Sequence, residues 1–128
     1  MKLLLDTHVL LWAATTPDRL GSAEQLVRDA ELRLLSAASA WELAIKQGLG
    51  KVDLGMPVGA WMERALRELL ARPLDISVDH AAAVEQLPSH HRDPFDRLLV
   101  VQAQQEGAVL LTADRALLPY GSAVHLVG

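Results

Sequence analysis

With 128 residues, 51% of them hydrophobic, the chain is long enough to bury one core, too short for two and too apolar to stay disordered. Its net charge of −4 counts against the broad basic surface that nucleic acids usually demand. It has no cysteine and so no disulfide framework, which fits a reducing cytoplasm, and no apolar run approaches the roughly 20 residues of a membrane-spanning helix.

Lys2 to Leu5 is a short apolar run suited to a buried parallel strand. Asp6 interrupts it at once, so the start reads as a strand rather than a signal peptide. Asp6-Thr7 opens a helix through about Ala14, with Thr7 its predicted N-cap, and Thr16-Pro17-Asp18 breaks it. Ser22 and Gln25 have capping-box spacing for a second helix reaching about Asp29. Leu32 to Leu35 reads as another strand. A helix from about Ser39 to Leu49 follows, with Trp41, Ile45 and Leu49 on one face and Gly48 and Gly50 ending it.

Asp53 to Pro57 is a turn, and a long amphipathic helix then runs to about Arg72, where Pro73 stops it. Leu74 to Ser77 suits a short strand, Val78 to Leu87 a helix, and Pro88 to Asp93 a polar loop. Asp93-Pro94 starts a strong helix with proline in its first position. Val109 to Leu111 is a strand, Ala113 to Leu118 a helical turn or two, and Ala123 to Val127 a last strand. Strands alternating with helices predict a single three-layer α/β/α domain over residues 1–128 with a mostly parallel sheet.

Four acids hold informative places on that scaffold. Asp6 follows the first strand, Asp114 lies just past Val109 to Leu111, and Glu42 and Asp96 each sit in the first turn of a helix that follows a strand or a loop. In an open parallel sheet, sites form beyond the carboxyl ends of the strands, so all four can converge on one edge. Carboxylates gathered there repel one another unless a cation or a proton compensates, and oxygen donors of this kind select Mg²⁺ or Mn²⁺ rather than zinc. Such cations would also offset the net charge where a phosphate approaches. Each acid has a purely structural alternative. Glu42 is spaced for a capping box with Ser39 and an ion pair with Lys46; Asp93 and Asp96 both suit a helix N-terminus; Asp114 suits a cap and Asp6 a loop.

The segments around these acids carry a resemblance. Leu4-Leu5-Asp6-Thr7-His8-Val9-Leu10-Leu11-Trp12, Ser36-Ala37-Ala38-Ser39-Ala40-Trp41-Glu42-Leu43, His91-Arg92-Asp93-Pro94-Phe95-Asp96-Arg97-Leu98-Leu99 and Leu111-Thr112-Ala113-Asp114 resemble, in order, the four motifs of PIN-domain toxins of the VapC type. The resemblance implies a PIN fold, Mg²⁺- or Mn²⁺-dependent cleavage of RNA, a toxin role neutralised by a cognate antitoxin, and a homodimer. Some relatives carry an aromatic residue soon after the last acid, and Arg115-Ala116-Leu117 has none.

On this reading Asp6, Glu42 and Asp96 are the metal ligands, and Asp114 is a ligand directly or through water. Thr112 is a candidate to orient a water or an acid, and Asp93 is read as an N-cap before Pro94. Arg92, Arg97 and Arg115 are candidates for RNA phosphates, with pairing to a carboxylate open for Arg97. His90 and His91 are read as solvated loop residues, His8 as packing or support, and Trp12, Trp41 and Trp61 as core. The helix face Trp61 to Leu66 is the expected surface for a second copy or an antitoxin.

A phosphoacceptor receiver domain fits poorly: a single acid follows the first strand, Leu32 to Leu35 ends at a serine, Ser36, and no lysine occurs after Lys51. A haloacid-type phosphatase needs an aspartate two residues after Asp6, where His8 stands. The remaining alternative is a catalytically silent PIN module acting by binding protein or RNA.

Overall fold

A computed structural model describes residues 1–127. The strands are β1 (Lys2–Leu5), β2 (Leu32–Ser36), β3 (Arg72–Leu74), β4 (Val109–Thr112) and β5 (Val124–Leu126). The helices are α1 (Thr7–Thr15), α2 (Ala23–Asp29), α3 (Ala37–Gly48), α4 (Val58–Glu68), α5 (Val78–Ala83) and α6 (Pro94–Glu106), with 3₁₀ segments at Pro17–Leu20, Val84–Gln86 and Arg115–Ala123. The strands pair in parallel in the order β3-β2-β1-β4-β5.

The two faces of β1 show why its leucines form an uninterrupted run. Successive strand residues point to opposite sides. Leu3 and Leu5 pack with Val9 and Leu10 of α1, Val27 of α2, and Trp61 and Ala65 of α4. Leu4 packs on the other side with Leu99, Val100 and Ala103 of α6 and with Leu117. A strand covered on both faces needs no polar alternation. The result is the three-layer α/β/α sandwich expected.

From β1 the chain moves outward to β2 and β3, then crosses back to β4 on the opposite side. The order therefore reverses between β1 and β4, where a crevice opens beyond the carboxyl ends of the strands. The Asp6 N–H donates to the Leu111 carbonyl at 3.0 Å, carrying the β1–β4 pairing to the edge of that crevice.

Several boundaries differ from the sequence expectation. Asp6, not Thr7, caps α1, because the chain stays extended at Asp6 (φ −69°, ψ 170°) and its carboxylate accepts from the Val9 N–H. Ser36 caps α3 for the same reason, which places Ser39 inside the helix and buried rather than at a capping box. Ser22 makes no side-chain cap to α2. Helix α4 ends at Glu68 instead of reaching Arg72. There the Ala71 N–H donates to the Leu66 carbonyl and the Leu70 N–H to the Arg67 carbonyl, a Schellman closure with Leu70 left-handed at φ 50°. Arg72-Pro73-Leu74 then joins the sheet edge, where a proline is tolerated and its predecessor is extended anyway.

Trp61 is buried as expected and Trp12 half-buried, whereas Trp41 is 57% exposed. Ile45 and Leu49 are exposed along the same face of α3, so their shared periodicity marks a stripe the core does not cover.

Candidate active site

Asp6, Glu42, Asp93, Asp96 and Asp114 line one groove of about 770 Å³, which opens at the crevice between β1 and β4. The groove is also lined by His8, Trp12, Lys46 and Lys51.

Asp6 is almost fully buried at the end of β1. One carboxylate oxygen accepts from the Val9 N–H at 2.8 Å, and the other accepts from the Thr112 hydroxyl at the end of β4. That second bond joins the two strands across the order reversal. Burial pushes the Asp6 carboxyl above its usual value, against the lowering effect of these donors.

Glu42 lies in the second turn of α3 rather than the first, because the helix begins at Ala37, directly after β2. The Thr7 hydroxyl donates to its Oε1 at 2.6 Å and lies 3.0 Å from the buried Ser39 Oγ, while Lys46 donates to its Oε2 at 2.8 Å. This bond holds the Lys46 ammonium above its usual pKa. In the sequence Thr7 reads as a helix cap and Ser39 as a capping-box partner, since nothing in their spacing shows that α1 and α3 meet here.

Asp96 stands in the first turn of α6, whose N-cap is Asp93. The Asp93 Oδ1 accepts from the N–H groups of Phe95 and Asp96 at 2.8 and 3.1 Å. Burial first, then the carboxylates of Asp93 and Asp6, push the Asp96 carboxyl up to about 7. Asp114 is the most open acid of the four, with 44% of its side chain exposed. Its Oδ1 accepts from the Ala116 N–H at 2.9 Å and its own N–H donates to Thr112 Oγ1 at 3.0 Å. The Ala116 bond, then His91, holds the Asp114 carboxyl below its usual value.

His91 does not project into solvent with the rest of the loop. Its Nε2 lies 2.8 Å from Asp114 Oδ2 and 3.3 Å from Asp96 Oδ2. One ligand atom from each of His91, Asp96 and Asp114 falls within 4.8 Å of the others. His90 stays exposed, its ring packed edge-on against Tyr120 at 5.0 Å. Arg97 meets neither expectation for it. Its guanidinium donates to the carbonyls of Val84, Leu87, Pro88 and His91 and contacts the Tyr120 hydroxyl, so it braces the 88–93 loop from within the protein.

The donor set suits a hard divalent cation. It consists of carboxylate oxygens whose ionisation is opposed by burial at Asp6, and by burial and neighbouring carboxylates at Asp96, and a bound cation offsets that opposition.

Comparison with known proteins agrees with the fold. The family model "PIN domain" matches residues 3–120. The chain is 34% identical over 116 residues to Ribonuclease VapC22 of Mycobacterium tuberculosis, covering 89% of this chain and 88% of that one. Among solved structures, VapBC2 from Rickettsia felis bound to a promoter DNA fragment superposes with a TM-score of 0.72 at 17% identity over the full length of both chains. FitAcB from Neisseria gonorrhoeae gives 0.64 at 22% identity, over 95% of each chain. A match spanning nearly the whole sequence, on a sheet whose order reversal gathers the motif acids, makes this chain a member of the PIN domain family.

Proposed function

We propose that the protein is a metal-dependent endoribonuclease that hydrolyses RNA phosphodiester bonds as the toxin of a toxin–antitoxin pair. The observation that carries this reading is the convergence of Asp6, Glu42, Asp96 and Asp114 on one groove at the switch point of a parallel sheet. The kinship with a VapC ribonuclease supports RNA as the substrate. Asp6, Glu42 and Asp96 would hold Mg²⁺ or Mn²⁺, with Asp114 joining directly or through water. When bound, the metal supplies a water of lowered pKa and offsets charge on the phosphate and the leaving oxygen.

The chain's own groups prepare that centre. Thr112 and Val9 hold the Asp6 carboxylate in one orientation, and Thr7 and Lys46 do the same for Glu42. Asp93 turns the start of α6 so that Asp96 enters the groove from its first turn. In-line attack of a water on phosphorus, with departure of the 3′ oxygen, leaves a 5′-phosphate and a 3′-hydroxyl. Lys51 also lines the groove, where its ammonium would meet a neighbouring RNA phosphate.

A cytoplasmic setting and a cognate antitoxin belong to the same reading, as does a homodimer. The exposed stripe Trp41, Ile45 and Leu49 on α3 supports self-association there rather than on α4, where Trp61 and Ala65 are buried. The test is direct. Purified protein with Mn²⁺ cleaves RNA, and Asp6→Asn or Asp96→Asn abolishes cleavage. Activity that survives both substitutions, or excess EDTA, ends the metal-dependent reading; absence of growth arrest on induction ends the toxin role.

A further inference from the structure

The 88–93 loop contains more construction than a connection between helices requires. Tyr120 donates its hydroxyl proton to the Pro88 carbonyl at 2.7 Å and accepts from the His91 N–H at 3.2 Å. Arg97 supplies donors to the carbonyls of Pro88 and His91 at 3.0 and 3.2 Å. Between them, the two side chains fasten the backbone on both sides of His91 and turn its ring toward the acids.

The ring itself is oriented by its other nitrogen. Nδ1 accepts from the N–H of Arg92 at 2.9 Å and from that of Asp93 at 3.3 Å. A nitrogen facing two N–H donors presents its lone pair, so the proton of the neutral ring sits on Nε2. Nε2–H therefore points at Asp114 Oδ2, with Asp96 Oδ2 next nearest. A protonated Nε2 has no lone pair for a metal. The opposite tautomer would set an Nδ1–H against the two backbone donors. Asp114 is thus held at both oxygens, by the Ala116 N–H on Oδ1 and by His91 on Oδ2.

We propose that His91 is a positioning residue for the metal centre: through its Nε2–H it fixes the carboxylate of Asp114, and it is not itself a ligand. Among the acids Asp114 has the most exposed side chain, and without this bond its side chain is anchored only at the cap. Removing a donor that orients a ligand costs about 10–100-fold in metal affinity or activity in sites of this kind. The inference rests on the proposed metal centre, and on the nuclease reading for its activity arm.

Three measurements on the full chain test it. Long-range ¹H–¹⁵N NMR of the metal-stripped protein shows the His91 proton on Nε2; a proton on Nδ1 overturns the proposal. Mn²⁺ binding, followed by loss of the free-ion EPR signal, weakens about tenfold in His91→Leu and recovers most of the way in His91→Gln, whose amide nitrogen takes the place of Nε2. A loss in His91→Gln as large as that of Asp6→Asn makes His91 a ligand and overturns the proposal, as does unchanged binding in His91→Leu. RNA cleavage by His91→Leu falls in kcat with KM unchanged, and a change in KM alone assigns His91 to substrate binding instead. A wild type that binds Mn²⁺ yet leaves RNA intact sinks the nuclease reading, and the first two measurements then decide the role of His91.

Discussion

Asp96→Asn is expected to stabilise the metal-stripped protein while abolishing its activity. In the folded chain the Asp96 carboxyl titrates at about 7, against 3.8 for an unperturbed aspartate. That displacement sets a ceiling of about 4 kcal/mol on the cost of ionising it in place. The side chain is 23% exposed and solvent screens part of the repulsion, which reduces the expected effect to about 1–2 kcal/mol. The sign follows from linkage: a carboxyl whose folded pKa is raised stabilises the fold while protonated, a contribution fully present below the unperturbed 3.8 and lost as pH rises from there through about 7. Asparagine never ionises, so the variant escapes the loss. Thermal unfolding by circular dichroism in EDTA at pH 4 and pH 8 reads the difference. The variant should melt about 3–8 °C above wild type at pH 8 and much closer to it at pH 4. Adding Mn²⁺ at pH 8 should raise the wild type more than the variant. A variant no more stable than wild type at pH 8, or a gap of equal size at both pH values, refutes the account of Asp96.

Three further outcomes follow from local geometry. Arg97→Ala releases the carbonyls that brace the 88–93 loop and should destabilise the protein by about 2–4 kcal/mol in urea unfolding, with reduced Mn²⁺ binding. Thr7→Val leaves Glu42 Oε1 without its hydroxyl donor; a cost of about 1–2 kcal/mol and roughly tenfold weaker Mn²⁺ binding are expected, by calorimetry and titration. Leu70→Gly relieves a left-handed leucine that is 78% exposed, and should raise stability by about 0.5–1 kcal/mol in the same unfolding assay.

The layered fold was legible because buried parallel strands leave short, unbroken apolar runs, as at Lys2–Leu5 and Val109–Thr112. The acids were legible because their place after a strand depends on chain order alone. What stayed hidden depends on contacts distant in sequence. His91 looks like a solvated loop residue until Arg97 and Tyr120 are seen to hold the loop that aims it. Thr7 reads as a cap because the crossing of α1 over α3 has no local signal. The stripe Trp41, Ile45 and Leu49 has helical periodicity, and periodicity states that residues share a face without stating what lies against it. The end of α4 was overextended because a leucine in a left-handed closure is an uncommon choice that no composition rule anticipates.

The pairing of β1 with β4 also bears on when the protein becomes active during its synthesis. The bond between Thr112 and Asp6 joins residues 106 positions apart, across the central pair of the sheet. A nascent chain that has emerged only as far as α6 has β1 paired on one side, Asp6 without its hydroxyl partner and no Asp114. Contacts of such long range also form late in folding. A ribosome making this protein therefore carries an incomplete centre for most of elongation, and on the proposed reading the nascent copy cannot act until β4 docks.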